Sequence, residues 1–191
     1  MLINYSEYTF LFMGNNTVFI VTGTKGSGKT TFQHQVTTNL KQTGIKIKGF
    51  LATHDFQTDS YSIFNIETHQ KLLLAQRIDE CKYSENPFRF NKSTIEQGKE
   101  WLNDIINHPP DLALIDEIGI YELHGKVWSN QFTQICNTSI PLLFSTSIHI
   151  LKNITTTWKL NPNHIFYPTD FQSPEIAADK IREQIHINTN H

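Results

Sequence analysis

The stretch VFIVTGTKGSGKTTF, residues 18–32, constrains this chain more than any other. It reads as a β-branched, apolar strand, a glycine loop and the start of a helix. Gly23, Gly28, Lys29 and Thr30 satisfy the pattern G-x-x-x-x-G-K-[ST], with Gly26 as an extra glycine. Glycines let the backbone wrap closely, so that consecutive N–H groups point at phosphate oxygens, and the following helix adds its positive end. The candidate phosphate cradle is therefore Gly23, Thr24, Lys25, Gly26, Ser27, Gly28, Lys29, Thr30 and Thr31. Lys29 reaches the β- and γ-phosphates as a mobile charge, and the Thr30 hydroxyl is placed to ligate Mg²⁺. A strand before the loop and a helix after it distinguish this arrangement from an ordinary glycine turn.

The remaining chain alternates strands with helices. Lys29–Gln42 is expected to be helical, with Gly44 as its stop. IKIKGFLAT (45–53) is a second strand, and YSIFNIET with QKLLLAQRI form an antiparallel excursion turning near Glu67-Thr68. Ser93-Thr94-Ile95-Glu96 has the spacing of a capping box, opening a helix with Ile95, Leu102, Ile105 and Ile106 on one face until Pro109-Pro110 ends it. DLALIDEIG is an apolar strand finishing in two acids; residues 126–137 read as a helix with Val127, Phe132 and Ile135 inward. IPLLFST is another buried strand, a helix follows near 148–160, NHIFYP is a short strand, and Ser173-Pro174 starts the last helix. This alternation predicts a three-layer α/β sandwich around a mostly parallel sheet, as a single domain over residues 1–191.

Composition narrows the setting. Hydrophobic residues make up 38% of the chain and charged ones 18%, a globular balance, and the formal charge of -2 carries no basic run suited to nucleic acid. Cys81 and Cys136 are the only cysteines and lie far apart, which fits a reduced compartment. The apolar segment YTFLFMGNNTVFIVTG, residues 8–23, has no Lys or Arg ahead of it and is split by Gly14-Asn15-Asn16, so it reads as two short strands joined by a turn rather than a signal peptide. No run is long enough for a membrane span. These features predict a soluble, cytoplasmic protein with no membrane and no nucleic-acid partner.

The second chemical element is LALIDEIG. Asp116 ends an apolar strand where a carboxylate would hold Mg²⁺, directly or through its water shell. Glu117 follows it and is the candidate general base for an attacking water. Neighbouring strand-end residues point in different directions, which lets the two acids do separate work. At least one strand, residues 45–53, lies between the two motifs in sequence. That order suits the P-loop branch with RecA-like strand order, an extra strand inserted between the Walker A and Walker B strands, and a glutamate base.

With both motifs in place, the chain resembles the small P-loop nucleoside-triphosphatase family, the thermophile and human cancer-related type. The resemblance rests on Gly23–Thr31, on KGF at 48–50, on the hairpin leading to LLLAQR, on NPFRFNKSTIEQG and above all on DEIGIYEL at 116–123, where Glu122 fills the later acid. It implies slow, Mg²⁺-dependent hydrolysis of several nucleoside triphosphates, ATP and GTP among them, to the diphosphate and phosphate. Lys29 and Glu117 would then be the catalytic residues, and Thr30 and Asp116 the metal side.

The chain departs from that family in its arginines. The family carries them after the strands corresponding to 45–53 and 140–146; this chain has HDFQTDS and STSIHILK there, and only Arg77, Arg89 and Arg182 overall. Lys25 and Lys152 are the candidate substitutes, with Lys25 at the loop tip read first as a solvated residue; a partner protein could also supply an arginine. Asn91-Lys92-Ser93-Thr94 lacks the aspartate of a guanine-reading loop, the nine histidines show no paired metal spacing, and His124, Phe171 and the three tryptophans are read mainly as packing or surface residues. Two alternatives stay open: a nucleotide-binding adaptor with little turnover, and a small-molecule or nucleoside kinase.

Overall fold

A computed structural model describes residues 17–78, 88–169 and 173–189, the side chains of 187–189 excepted. The first of the two short strands expected at the N-terminus, Cys81 and Phe171 lie outside the described residues. Within them the chain forms strands β1 (Val18–Gly23), β2 (Ile47–Asp55), β3 (Ser60–Asn65), β4 (Lys71–Arg77), β5 (Phe88–Phe90), β6 (Leu112–Ile115), β7 (Leu142–Ser147) and β8 (His164–Phe166). The helices are α1 (Lys29–Gln42), α2 (Lys92–Asn107), α3 (Ile120–Leu123), α4 (Ser129–Cys136), α5 (Leu151–Thr157) and α6 (Pro174–Thr189).

All eight strands join one sheet in the order β5-β4-β3-β2-β6-β7-β1-β8. The five strands from β2 to β8 in that order pair in parallel, and β3, β4 and β5 extend the sheet antiparallel beyond β2. The predicted sandwich, its excursion and the RecA-like order are therefore all present. The strand standing between the glycine-loop strand β1 and the acid-ending strand β6 is β7, whereas residues 45–53 pair on the far side of β6. Order along the chain does not reveal spatial neighbours among parallel strands, because each reaches its partner by a crossover.

Both faces of the sheet are covered, which explains the unbroken apolar runs. Alternation splits each strand between two cores. Phe19, Val21, Leu112 and Leu114 meet Phe32, Val36 and Leu40 of α1 and Ile181 of α6. Val18, Ile20, Ala113 and Ile115 meet Leu102 and Ile105 of α2 and Phe132 and Ile135 of α4. Gly49 sits where β2 crosses closest to β6: its φ is +131°, and a Cβ there would stand 1.8 Å from the Leu114 carbonyl oxygen.

Several local expectations change. The N-cap of α2 is Asn91, whose side chain accepts from the Ser93 and Thr94 N–H groups; Ser93 lies inside the helix and Glu96 pairs with Lys99 instead of closing a capping box. The helix expected over 126–137 begins only at Ser129, and Val127 is half-buried in the preceding turn at φ +52°. The helix near 148–160 shortens to Leu151–Thr157, and the single-turn α3 was not anticipated. Ser173 does cap α6, accepting from the Ile176 N–H at 3.3 Å.

Candidate functional site

The cleft forms where β1, β2, β6 and β7 end at the same edge, the place where α/β sheets present ligand sites. From the loop, Gly26 and Gly28 adopt φ of +79° and +87°, the left-handed region where a side chain is strained. Gly23 is needed for a different reason: a Cβ there would meet the Ser27 hydroxyl at 2.3 Å. Gly28 occupies the N-cap of α1 and offers no side-chain cap, so the first N–H groups of the helix stay free to face an anion.

Lys25, Gly26, Gly28, Lys29, Thr30, Thr31 and Glu117 line one cleft of about 460 Å³. Gly23, Thr24 and Ser27 belong to the same loop but do not line the cleft. Lys29 is 8% exposed and donates to the Thr24 carbonyl at 3.2 Å, a bond that folds its ammonium back over the loop.

Asp116 is fully buried beneath this loop. Its Oδ2 accepts from the Thr30 hydroxyl at 2.7 Å and from the Ala52 N–H at 3.0 Å, while its Oδ1 accepts from the Ser145 hydroxyl. Burial pushes its carboxyl above the ordinary range, and the three hydrogen bonds and the charge of Lys29 oppose that push. Thr30 and Asp116 thus place two hard oxygens side by side. No cluster of three or more acidic, histidine or cysteine ligands exists among the described residues. Hard oxygens of this kind are donors that Mg²⁺ accepts, with waters and substrate phosphates as its other ligands.

Glu117 stands at φ +66°, unusual for a residue with a Cβ. The strain is held by neighbours: its N–H donates to Ser145 Oγ at 2.9 Å, and the next N–H, of Ile118, donates to the Ser145 carbonyl at 2.8 Å. The turn sends the Glu117 side chain away from Asp116 into the cleft, and its carboxylate has no hydrogen-bond partner among the described residues. Glu117 is exposed as a residue, while the protein packed around its carboxyl takes the place of part of the surrounding water. Desolvation therefore holds it above the usual range; Lys29 draws it down, Asp116 pushes it up, and Lys25 draws it down again. The two acids consequently have the separate environments expected of them.

Glu122, the later acid of the DEIGIYEL run, braces the short helix α3 in which it lies. Glu122 is 4% exposed and accepts the Gly119 N–H at 2.9 Å, tying the ends of α3 together. His124 is an exposed residue at the end of α3 and does not line the cleft. Lys152 is also exposed and does not line it. Lys25 is exposed at the loop tip and does line the cleft.

Three contributors were not anticipated. Ser145 bridges Asp116 and the Glu117 backbone; the only available signal was a polar residue inside an apolar strand. The Ala52 N–H and the His54 ring come from the end of β2. His54 packs between Phe56 and Tyr61, each 4.5 Å away between centroids, and bonds Asp59 at 2.8 Å. Asp59 in turn takes Arg77 at 3.1 Å, and the His54 contact first of all holds its carboxyl below the ordinary range. Arg77 is thereby committed to the β2–β3 turn. No arginine lines the cleft among the described residues.

Comparison with known proteins agrees with this geometry. A family model described as NTPase matches residues 18–170. The nucleoside-triphosphatase THEP1 of Methanocaldococcus jannaschii is 27% identical over 131 residues, spanning 64% of this chain and 74% of that protein. Its counterpart from Caldivirga maquilingensis is 26% identical over 133 residues, spanning 68% and 73%. Among solved structures, THEP1 from the hyperthermophile Aquifex aeolicus matches with a TM-score of 0.64 at 19% identity, covering 90% of this chain and 98% of that one. A human cancer-related nucleoside triphosphatase matches with a TM-score of 0.64 at 20% identity, covering 88% and 97%. The two structures are similar in fold.

Proposed function

The chain belongs to the NTPase family, and from that premise we infer that it hydrolyses nucleoside 5′-triphosphates such as ATP and GTP to the diphosphate and phosphate, with Mg²⁺ and without strong base selection. The observation that carries this reading is the placement of Glu117: a strained backbone, pinned by Ser145, aims an unpartnered carboxylate into the cleft that holds the loop lysine.

Each residue takes one part in the reading. The N–H groups of residues 24–31 and the start of α1 cradle the phosphates. Lys29 leaves the Thr24 carbonyl and moves its ammonium to the β- and γ-phosphate oxygens. Thr30 and Asp116 would hold Mg²⁺, which would supply charge neutralisation to the leaving diphosphate. Glu117 takes the proton of the attacking water, and the protonated carboxyl later returns it to solvent. With no arginine lining the cleft, Lys25 is the cation left to meet charge developing at the γ-phosphate, so turnover is slow. The described residues contain no helix long and apolar enough to cross a membrane. A cytoplasmic setting, where Mg²⁺ and nucleoside triphosphates are abundant, completes the proposal; the adaptor reading survives only if turnover is absent.

The test is Glu117→Gln, which keeps shape and removes the base. Nucleotide affinity should stay within about threefold while single-turnover hydrolysis falls by about 10²-fold or more. Wild-type hydrolysis by this variant would remove Glu117 from its role.

A further inference from the structure

A second cavity, of about 290 Å³, lies beside the phosphate cleft, and Ala52, Tyr61 and Glu117 line both. It sits over the sheet face covered by α2 and α4. Its walls are aromatic: Tyr61, Phe88, Phe90, Tyr121 and Trp128 surround it, with Leu74 on the same wall. The rings brace one another edge to face, Tyr61 on Phe88 at 5.4 Å and Phe90 on Tyr121 at 5.0 Å, so the cavity is built rather than collapsed. Two carboxylates line it. That of Glu122 is taken up by the Gly119 N–H at 2.9 Å, whereas that of Glu117 has no hydrogen-bond partner among the described residues.

Hydrolysis does not need this space. The cavity is roughly ten times the volume share of one water molecule. An apolar wall with one convergent acid is the usual make-up of a small-molecule site. We propose that this cavity binds a second substrate, a flat aromatic or heteroaromatic molecule carrying a hydroxyl, and that the bound triphosphate passes its γ-phosphoryl group to that hydroxyl. A sugar or other polyol is a poor occupant, because the rings offer its many hydroxyls too few partners once water is removed. The proposal rests on the reading of Glu117 as the general base. In the transfer step the bond from the γ-phosphorus to the β,γ-bridging oxygen breaks and one from phosphorus to the acceptor oxygen forms. The hydroxyl proton goes to the Glu117 carboxylate, and the nucleoside diphosphate leaves with the bridging oxygen. Water takes the acceptor's place when the cavity is empty, so hydrolysis and transfer share one site.

The experiment uses the full chain with Mg-ATP and two probes, 2-naphthalenemethanol and glycerol. Saturation-transfer NMR reads binding, and ³¹P NMR reads phosphate ester against free phosphate. The naphthyl alcohol should bind and yield its phosphate monoester with ADP one for one; glycerol should do neither. Ala75→Leu fills the cavity from β4 and Ile120→Trp blocks it from the exposed side of α3. Each variant is first checked for a cooperative melt, and having two keeps the test alive if one fails to fold. Each should lower the ester-to-phosphate ratio at least tenfold. The proposal is overturned if the naphthyl alcohol does not bind, if neither variant weakens its binding, or if only free phosphate forms at saturating probe. Phosphate release without probe judges the hydrolase reading separately. Ester without hydrolysis would sink that reading and keep the acceptor site; hydrolysis without ester would do the reverse.

Discussion

Glu117 and Asp116 are adjacent in sequence and opposite in circumstance. Asp116 is saturated by three donors; Glu117 has none among the described residues and faces the cleft. A base must be ionised to act, so hydrolysis should fall as pH drops through the Glu117 pKa. Desolvation puts that acid limb above the ordinary glutamate value of about 4.3. Lys25 lowers the pKa by stabilising the carboxylate, so Lys25→Ala should move the limb to higher pH, measured as the pH profile of phosphate release. An unmoved limb would separate Lys25 from Glu117. Ser145→Ala should cost about 1–3 kcal/mol in urea unfolding, because it leaves a buried carboxylate oxygen short of a donor, and it should also lower turnover by freeing the Glu117 turn. Stability within about 0.5 kcal/mol of wild type would contradict the bridge. At this scale the sequence displayed the acids and the loop, since their chemistry is tied to a contiguous pattern. It did not display Ser145, whose role exists only because β7 lies beside β6 in register.

At the scale of elements, long amphipathic or apolar segments were legible: α1 matches its expected bounds, and β1, β2, β6 and β7 fall within a few residues of theirs. Two short elements were not, although the three-residue β8 was. One turn of α3 and the three residues of β5 are too brief for periodicity to register, and they are held by Glu122 and by pairing to β4. The start of α2 illustrates a competition among capping residues. Asn91, Ser93 and Thr94 all can cap, and the choice falls to the side chain that reaches the N–H groups of the first turn, which is Asn91. Asn91→Ala should therefore cost about 1 kcal/mol in chemical denaturation, and Ser93→Ala only a few tenths. The reverse order would restore the capping box that the spacing suggested.

At the scale of the molecule, one sheet brings together two motifs that are far apart in sequence. β1 delivers the loop and β6 delivers the acids, with β7 between them supplying Ser145 as a brace. Strand alternation was enough to predict an α/β sandwich, but not which strand would stand between the motifs, because parallel pairing is set by crossovers and core packing rather than by local pattern. Among the described residues no arginine lines the cleft, which ties the proposed hydrolysis to slow turnover. Its central claim is that the loop holds a triphosphate that water attacks. The most direct measurement is phosphate release from ATP, GTP, CTP and UTP by the purified chain with no acceptor added, with Mg²⁺ and with chelator, beside Lys29→Ala. The account predicts slow release from all four triphosphates, dependent on Mg²⁺ and lost in Lys29→Ala. Tight binding of Mg-ATP with the triphosphate recovered intact would contradict it.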